Sequence, residues 1–221
     1  MKLGVLFSGG KDSCLALHKV LKEGHEVKYL LNISPKNKDS FMFHKQDPDL
    51  LNLQATKLGI ETISCESDGV EDEELEDLKE LFKKVKDNVD GIVAGGIASS
   101  YQGKRIEKIC DEFGLKFVAP LWDYDPEMLW KELLTEGFEV VMIKIACDGI
   151  GKEWVGKVIS KENFEELKAL SEKYKFRLDF EGGEAETAVL NMPGYSEGIK
   201  IDFDVESEDE YRHLMKDIKI I

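Results

Sequence analysis

The hexapeptide Ser8–Ser13, S-G-G-K-D-S, has the residue types of a phosphate-binding loop. It follows a short apolar run and precedes a stretch with helical periodicity. Gly9 and Gly10 allow the backbone to turn tightly and to approach a ligand closely, and the N–H groups that begin a helix attract anions. The two serines add hydroxyl donors, and Lys11 adds a positive charge. We therefore predict that this loop binds a phosphate or pyrophosphate group.

The loop differs from the two best-known nucleotide-binding motifs. A Walker A loop requires G-x-x-x-x-G-K-[ST], whereas Lys11 is followed by Asp12, and the dinucleotide fingerprint G-x-G-x-x-G is absent. The hexapeptide instead resembles the S-G-G-x-D-S loop of the ATP pyrophosphatase (PP-loop) superfamily. That resemblance implies cleavage of ATP between its α and β phosphates, with AMP transferred to an oxygen of the acceptor.

Asp12 has two interpretations. In the first turn of a helix its carboxylate gains from the helix dipole, whereas in a phosphate site it orders a Mg²⁺ ion that bridges the phosphates. We favour the magnesium role, because a carboxylate inside an anion-binding loop otherwise opposes phosphate binding. Cys14, which follows the loop, is interpreted as a small core residue rather than a catalytic one.

Two further segments are expected to lie near the loop. Residues 34–47 form a long connection that contains Met42 and His44. Long loops often close over ligands, although a loop tucked onto the core is an equal alternative. Gly95 and Gly96 end a predicted strand and open a helix. Because the carboxyl ends of parallel strands share one edge of a sheet, we expect this pair to face the same crevice as the first loop.

Two charged features stand out elsewhere. Arg105 is one of only three arginines in a lysine-rich chain, and its planar guanidinium suits phosphate or carboxylate, with a surface ion pair as the alternative. The segment E-G-G-E-A-E-T at Glu181–Thr187 places three carboxylates around a glycine pair, a pattern of neither helix nor strand. Such acids suit an ammonium, an imidazolium or a metal; the alternative is a solvated acidic turn.

Alternating strands and helices must position these residues. Short apolar runs alternate with helical patterns as far as about residue 119, which predicts a parallel sheet with right-handed crossovers. After Pro120-Leu121-Trp122 the pattern changes to a helix, a strand, a second helix and a tail of loop and short strands. We predict an α/β fold: a parallel, doubly wound, Rossmann-like nucleotide-binding domain over residues 1–123 and a smaller C-terminal α+β domain over residues 124–221, which selects the acceptor.

Composition excludes several classes of protein. The chain has 221 residues, with 30 Lys and Arg against 45 Asp and Glu, so its formal net charge is −15. Dedicated nucleic-acid binding depends on Lys and Arg contacts to phosphate, and is not expected here. No apolar run approaches the length that spans a bilayer. The four cysteines are widely spaced and lack a C-x-x-C pair, so they predict neither a zinc framework nor disulfides, and a cytoplasmic location is expected.

Taken together, the motifs resemble those of the diphthine–ammonia ligase branch of the PP-loop superfamily. The match spans nearly the whole chain, and the E-G-G-E-x-E-T tail is its most specific part. Ala185 departs from the pattern, because the family commonly has an aromatic residue there. The resemblance implies that ATP, with Mg²⁺, adenylates the carboxylate of diphthine on elongation factor 2, and that ammonia then displaces AMP. A homo-oligomer is compatible with this assignment, and no nucleic-acid or membrane partner is expected.

These patterns and the resemblance together assign the site residues. The residues expected to contact ATP are Ser8, Gly9, Gly10, Lys11, Asp12, Ser13, Asn32, Ile33, Met42, His44, Gly95 and Gly96. Those expected to contact the acceptor substrate are Tyr101, Gln102, Arg105, Glu181, Gly182, Gly183, Glu184, Glu186 and Thr187. Catalytic roles are expected for Lys11, Asp12, Glu184 and Glu186, with Asp12 also the expected ligand of magnesium.

Three alternatives remain open on the sequence. A tRNA-modifying PP-loop enzyme would need basic surface, and a thiolase also reactive cysteines, so the net charge and the unpaired cysteines count against both. An ammonia ligase acting on a small metabolite would share the same loop. A nucleotide sensor without turnover is the third alternative, which the intact Lys11 and Asp12 disfavour.

Overall fold

The computed structural model describes residues 1–35, 47–67, 71–96 and 100–221. The chain divides into two compact units, Met1–Asp123 and Tyr124–Ile221. Met42 and His44 lie outside the described residues. Within those residues, no helix has the length and apolar character needed to cross a membrane.

The first unit alternates strands and helices. Its elements are β1 (Lys2–Leu6), α1 (Lys11–Lys22), β2 (Glu26–Pro35), α2 (Pro48–Leu58), β3 (Glu61–Ser67), α3 (Glu71–Val85), β4 (Gly91–Val93), α4 (Ser100–Glu112) and β5 (Lys116–Val118). The five strands form one sheet in the order β3-β2-β1-β4-β5, and every neighbouring pair is parallel. The predicted fold class is therefore confirmed.

Burial on both faces explains the apolar strands of this sheet. Leu30 and Leu31 are neighbours in β2, so their side chains point to opposite faces, and both are almost completely buried. Leu31 belongs to a core cluster with the apolar sides of α3 and α4, which include Phe82 and Ile109. Local signals fix the helix ends: the Asp47 side chain caps α2 by accepting from the backbone of Asp49 and Leu50.

The strand order determines where a ligand can bind. From β1 the chain runs outward to β2 and β3, and then returns to place β4 and β5 on the other side of β1. The carboxyl end of β1 is therefore the topological switch point of the sheet, where open α/β sheets bind ligands. The S-G-G-K-D-S loop lies at this point.

The second unit is built around an antiparallel sheet. Its elements are α5 (Pro126–Thr135), β6 (Glu139–Ala146), a 3₁₀ turn (Lys152–Trp154), α6 (Lys161–Tyr174), β7 (Ala185–Asn191), β8 (Ile201–Ser207) and β9 (Arg212–Ile220). The strand order is β7-β6-β9-β8. The sequence predicted an irregular E-G-G-E-A-E-T segment, and this was wrong for its second half, because Ala185 begins β7.

Candidate active site

The loop between β1 and α1 is closed by hydrogen bonds of its own serines. Gly9 has a φ of 72°, in the left-handed region that glycine tolerates, and Gly10 is the N-cap of α1. The buried Ser13 hydroxyl donates to the carbonyl of Gly10 (3.1 Å) and accepts from the backbone N–H of Ser8 (3.3 Å). Ser8 itself is exposed. Ser13 therefore shapes the loop, whereas the Ser8 hydroxyl lies at its surface.

Lys11 and Asp12 form an ion pair at the start of α1. The Lys11 ammonium nitrogen lies 2.7 Å from Asp12 Oδ2, and the two side chains are 3% and 26% exposed. The lysine is thus held inside the loop by the neighbouring carboxylate rather than extended into solvent. Its charge adds to the positive end of the α1 dipole, which favours an anion at this point.

Two amide side chains from neighbouring elements hold the loop from behind. Gln54 of α2 is completely buried and donates from Nε2 to the carbonyl of Gly9 at 2.9 Å. Asn32 of β2 donates to the carbonyl of Phe7 at 3.0 Å. Asn32, expected to contact ATP, therefore positions the approach to the loop. Gln54 was not predicted as a site residue. The sequence feature that could have indicated its role is a polar glutamine on the apolar side of a helix.

Gly95 touches the start of α1. A β-carbon at position 95 would lie 2.7 Å from the backbone carbonyl of Asp12 and from the nitrogen of Ser13. Real β-carbons do not approach backbone atoms this closely, so only glycine fits. At Gly96 a β-carbon would meet nothing within 4 Å. The structure thus brings Gly95 against the loop, as the shared-edge argument expects, and gives it the role of a spacer.

The remaining predicted site residues of this unit have varied positions. The Ile33 side chain is buried in the core, so only its backbone can reach a ligand. Tyr101 and Gln102 lie in the first turn of α4. Arg105 is half-buried on the same helix. Among the described residues, no group of three His, Cys, Asp or Glu side chains could hold a metal ion. A magnesium ion held by phosphates needs only one or two carboxylates, and Asp12 is a carboxylate at the loop.

Glu184 orders the acidic loop of the second unit. Its Oε1 accepts from the backbone N–H of Arg177 (3.1 Å), and its Oε2 accepts from that of Gly182 (2.9 Å). A β-carbon on Gly182 would lie 2.5 Å from the Glu184 carboxylate, and Gly183 has a φ of 84°. The glycine pair therefore lets Glu184 fold back onto its own loop. Both carboxylate oxygens of Glu184 are used in this way, which assigns it a structural role beside the predicted catalytic one.

The residues before this loop anchor it to the core. Phe180 has a φ of 63° and is buried with its ring centroid 6.0 Å from that of Trp130. Asp179 is 1% exposed; it accepts two hydrogen bonds from the Arg177 guanidinium and one from the Glu181 backbone N–H. Asp179 raises the pKa of Arg177 through this hydrogen bonding. Non-glycine residues with left-handed backbone cluster at functional sites; the sequence did not predict this anchor.

Glu186 lies on β7 and pairs across the sheet with Lys144 of β6. The Lys144 ammonium nitrogen is 2.9 Å from Glu186 Oε1, and the side chains are 47% and 17% exposed. Thr187 is mostly buried, and Glu181 is half-buried. Those predicted acceptor-binding residues that belong to the second unit therefore lie on one loop and on the strand that follows it.

The cysteines lack the properties of nucleophiles. Burial raises the pKa of Cys14 and of Cys65 above the usual thiol range, and raises that of Cys110 to about 12. The pKa of Cys147 is raised to about 11, first by burial and then by the charge of Glu184. Because the thiolate is the reactive form, these cysteines do not suit the sulfur chemistry of a thiolase. Cys14 is fully buried, as its interpretation as a core residue requires.

A parallel sheet whose central strand leads through a serine-closed glycine loop into a helix has the architecture of a nucleotide-binding domain. The family sequence models "Diphthamide synthase N-terminal domain" and "Diphthamide synthase C-terminal domain" match residues 1–117 and 125–220. The chain belongs to the diphthamide synthase family.

Named relatives agree with this family. Proteins named diphthine–ammonia ligase are 33% identical in Rattus norvegicus and 32% identical in Homo sapiens, and each match covers 91% of this chain and 83% of the relative. The protein of the same name in Schizosaccharomyces pombe is 35% identical over 90% of this chain, but the match covers 36% of that protein. The chain thus spans most of the mammalian relatives and about a third of the longer fission-yeast protein.

Proposed function

We propose that the chain is an ATP-dependent ligase that converts diphthine on elongation factor 2 into diphthamide, using ammonia and releasing AMP and pyrophosphate. One observation carries the proposal: a serine-closed phosphate loop lies at the switch point of the sheet, in a chain whose two halves match the diphthamide synthase domains. The proposal places the protein in the cytoplasm and requires no nucleic acid.

The chemistry needs an anion site because a carboxylate is a poor electrophile. An oxygen of the acceptor carboxylate attacks the α-phosphorus, and the bond to the oxygen that bridges to the β-phosphate breaks. Ammonia then attacks the acyl carbon, AMP leaves with the electron pair of the C–O bond, and the nitrogen loses a proton. On this proposal, the departing pyrophosphate is stabilised by the start of α1, Lys11 and the Ser8 hydroxyl, the role of preorganised donors.

The acidic balance of the chain does not prevent ATP binding on this proposal. The positive end of α1 lies at one loop, and the buried Lys11 ammonium adds a charge there that the Asp12 carboxylate balances at 2.7 Å. Asp12 would hold Mg²⁺, which supplies further positive charge to the phosphates when bound. Substrate positioning then falls to the second unit, where Glu184 holds the acidic loop in shape and Glu186 presents a carboxylate.

Mass spectrometry tests the function directly. The protein is incubated with diphthine-bearing elongation factor 2, ATP and ammonium, and the modified histidine peptide is compared before and after. We expect the mass change that accompanies replacement of a carboxylate oxygen by NH, together with AMP in equal amount. ADP in place of AMP would overturn the α–β cleavage. AMP formed without any change in elongation factor 2 would redirect the assignment to another acceptor, such as a small metabolite.

Glu186 and Lys144 allow a sharper test, because substituting them should change the KM for elongation factor 2 in opposite directions. We propose that Glu186 attracts the cationic acceptor through its modified imidazole. A partly exposed ion pair is worth little, so the acceptor can displace Lys144 at small cost. Glu186→Gln is expected to raise the KM for elongation factor 2 about 10- to 100-fold, the usual strength of a charge-assisted hydrogen bond. Lys144→Met removes the competitor and should lower that KM.

The pair of variants separates binding from structure. The alternative is that Glu186 only stabilises the pairing of β6 with β7. Both substitutions then break the same contact, so each should lower the melting temperature by a similar small amount, and the KM should not shift in opposite directions. Glu186→Gln with wild-type amidation kinetics would remove Glu186 from the proposal.

A further inference from the structure

Trp122 differs from the other tryptophans of the chain. Trp130 and Trp154 are 0% and 1% exposed, whereas Trp122 is 45% exposed. A large exposed indole is costly to leave in water. Trp122 follows β5, a strand of the sheet that carries the phosphate loop, and its backbone N–H donates to the carbonyl of Ala119 (3.1 Å).

A glycine notch in α4 seats this indole. A β-carbon at Gly103, in the first turn of α4, would lie 2.6 Å from Cζ3 and 3.0 Å from Cη2 of Trp122. The six-membered ring therefore packs against the backbone of α4, in the space that a side chain at position 103 would otherwise fill. Because α4 starts beyond the carboxyl end of β4, this contact also places the ring at the carboxyl edge of the sheet.

The position relative to the phosphate loop favours the acceptor over the nucleotide. Strand β4 separates β5 from β1, so the Trp122 segment lies two strand spacings, about 10 Å, from the end of β1. The predicted nucleotide contacts lie on β2 (Asn32 and Ile33) and just beyond the end of β4 (Gly95 and Gly96). On the β4 side of β1, the first strand with no predicted nucleotide contact is β5, which leaves its carboxyl end for the group that receives AMP.

Resting on the proposed function, we infer that the exposed indole of Trp122 binds the trimethylammonium group of the acceptor. An aromatic face attracts a quaternary ammonium ion, which lacks N–H groups and cannot donate hydrogen bonds. The exposed Asp123, next in the chain, adds a negative charge beside the ring in sequence. A held aromatic ring thus recognises the methylated end of the substrate, and the phosphate loop activates its carboxylate.

Steady-state kinetics with two variants test the binding step. Trp122→Leu keeps an apolar side chain but removes the aromatic face, and is expected to raise the KM for elongation factor 2 about tenfold, within the range of a desolvated cation–π contact. The KM for ATP should not change. Trp122→Phe retains a weaker aromatic face and should show a smaller rise. A rise in the KM for ATP instead would assign Trp122 to the adenine ring and overturn the inference.

Gly103→Ala provides a matched control that leaves the indole in the chain. Alanine has a higher helix propensity than glycine, so the substitution should stabilise α4 itself. The new methyl group, however, displaces the Trp122 ring. We expect a rise in the KM for elongation factor 2 without the loss of melting temperature that damage to the fold would cause. Wild-type KM in both Gly103→Ala and Trp122→Leu would refute the role of the ring.

A measurement without turnover separates this inference from the proposed function. Tetramethylammonium chloride is titrated into the protein while the indole N–H signals are followed by NMR, with sodium chloride as the ionic-strength control. A saturable shift confined to the Trp122 signal, identified by its loss in Trp122→Phe, is expected. That shift would stand even if wild-type protein left elongation factor 2 unmodified. Equal responses to both salts would overturn the inference.

Discussion

Gly95→Ala is expected to lower the rate of ATP-dependent AMP formation about 100-fold, the cost of displacing a catalytic group by roughly 1 Å. The added methyl group would lie 2.7 Å from backbone atoms of Asp12 and Ser13, which cannot rotate away as a side chain can. The first turn of α1 must therefore shift, and with it the hydrogen bonds through which Ser13 closes the loop. Overpacking of this kind costs about 1–3 kcal/mol of stability.

Gly198→Ala, outside the predicted site, is the matched control for this prediction. There the same methyl group would make only ordinary contacts with the Asn191 side chain, at 3.5 Å or more, so AMP formation and the melting temperature should stay near those of the wild type. Both variants are measured well below their melting temperatures, which separates a displaced loop from an unfolded protein. Similar activities for the two alanine variants would show that the contact between Gly95 and α1 does not control the site.

The sequence was sufficient for those features that depend on local pattern. The S-G-G-K-D-S loop was predicted because a glycine turn between an apolar strand and a helix has few other uses. The expectation that Gly95 faces this loop followed from the geometry of parallel strands alone. The parallel sheet followed from strand–helix alternation.

The contacts that tune the site depend on the tertiary structure. Nothing local to Gln54 shows that its amide will reach the carbonyl of Gly9, because the two residues are 45 positions apart and meet only in the folded domain. The acidic motif shows a second limit. The sequence favoured ligand roles for its carboxylates, and the structure adds that Glu184 accepts hydrogen bonds from its own loop. Competition between backbone N–H groups and a ligand for one carboxylate cannot be resolved from the composition of a motif.

Lys11→Met is expected to lower AMP formation about 100- to 1,000-fold, the usual effect of removing one preorganised charge-stabilising donor. Methionine has a similar length and an apolar stem, so it can fill the buried space of the lysine. The substitution also leaves the Asp12 carboxylate, 26% exposed, without the ammonium 2.7 Å away. The substitution therefore also lowers the stability of the fold, and this loss must be separated from the loss of AMP formation.

The double variant Lys11→Met, Asp12→Asn separates them. Asparagine removes the negative charge that lies beside the Lys11 ammonium in the wild type, so the double variant should regain part of the melting temperature lost in Lys11→Met. The affinity for ATP is measured by calorimetry at a temperature at which every variant is folded. Under these conditions Lys11→Met should still bind ATP more weakly than the wild type. If Lys11→Met instead binds and cleaves ATP like the wild type once folded, the lysine serves only to neutralise Asp12. In that case the phosphate charge must be balanced by the α1 dipole and the backbone N–H groups of the loop.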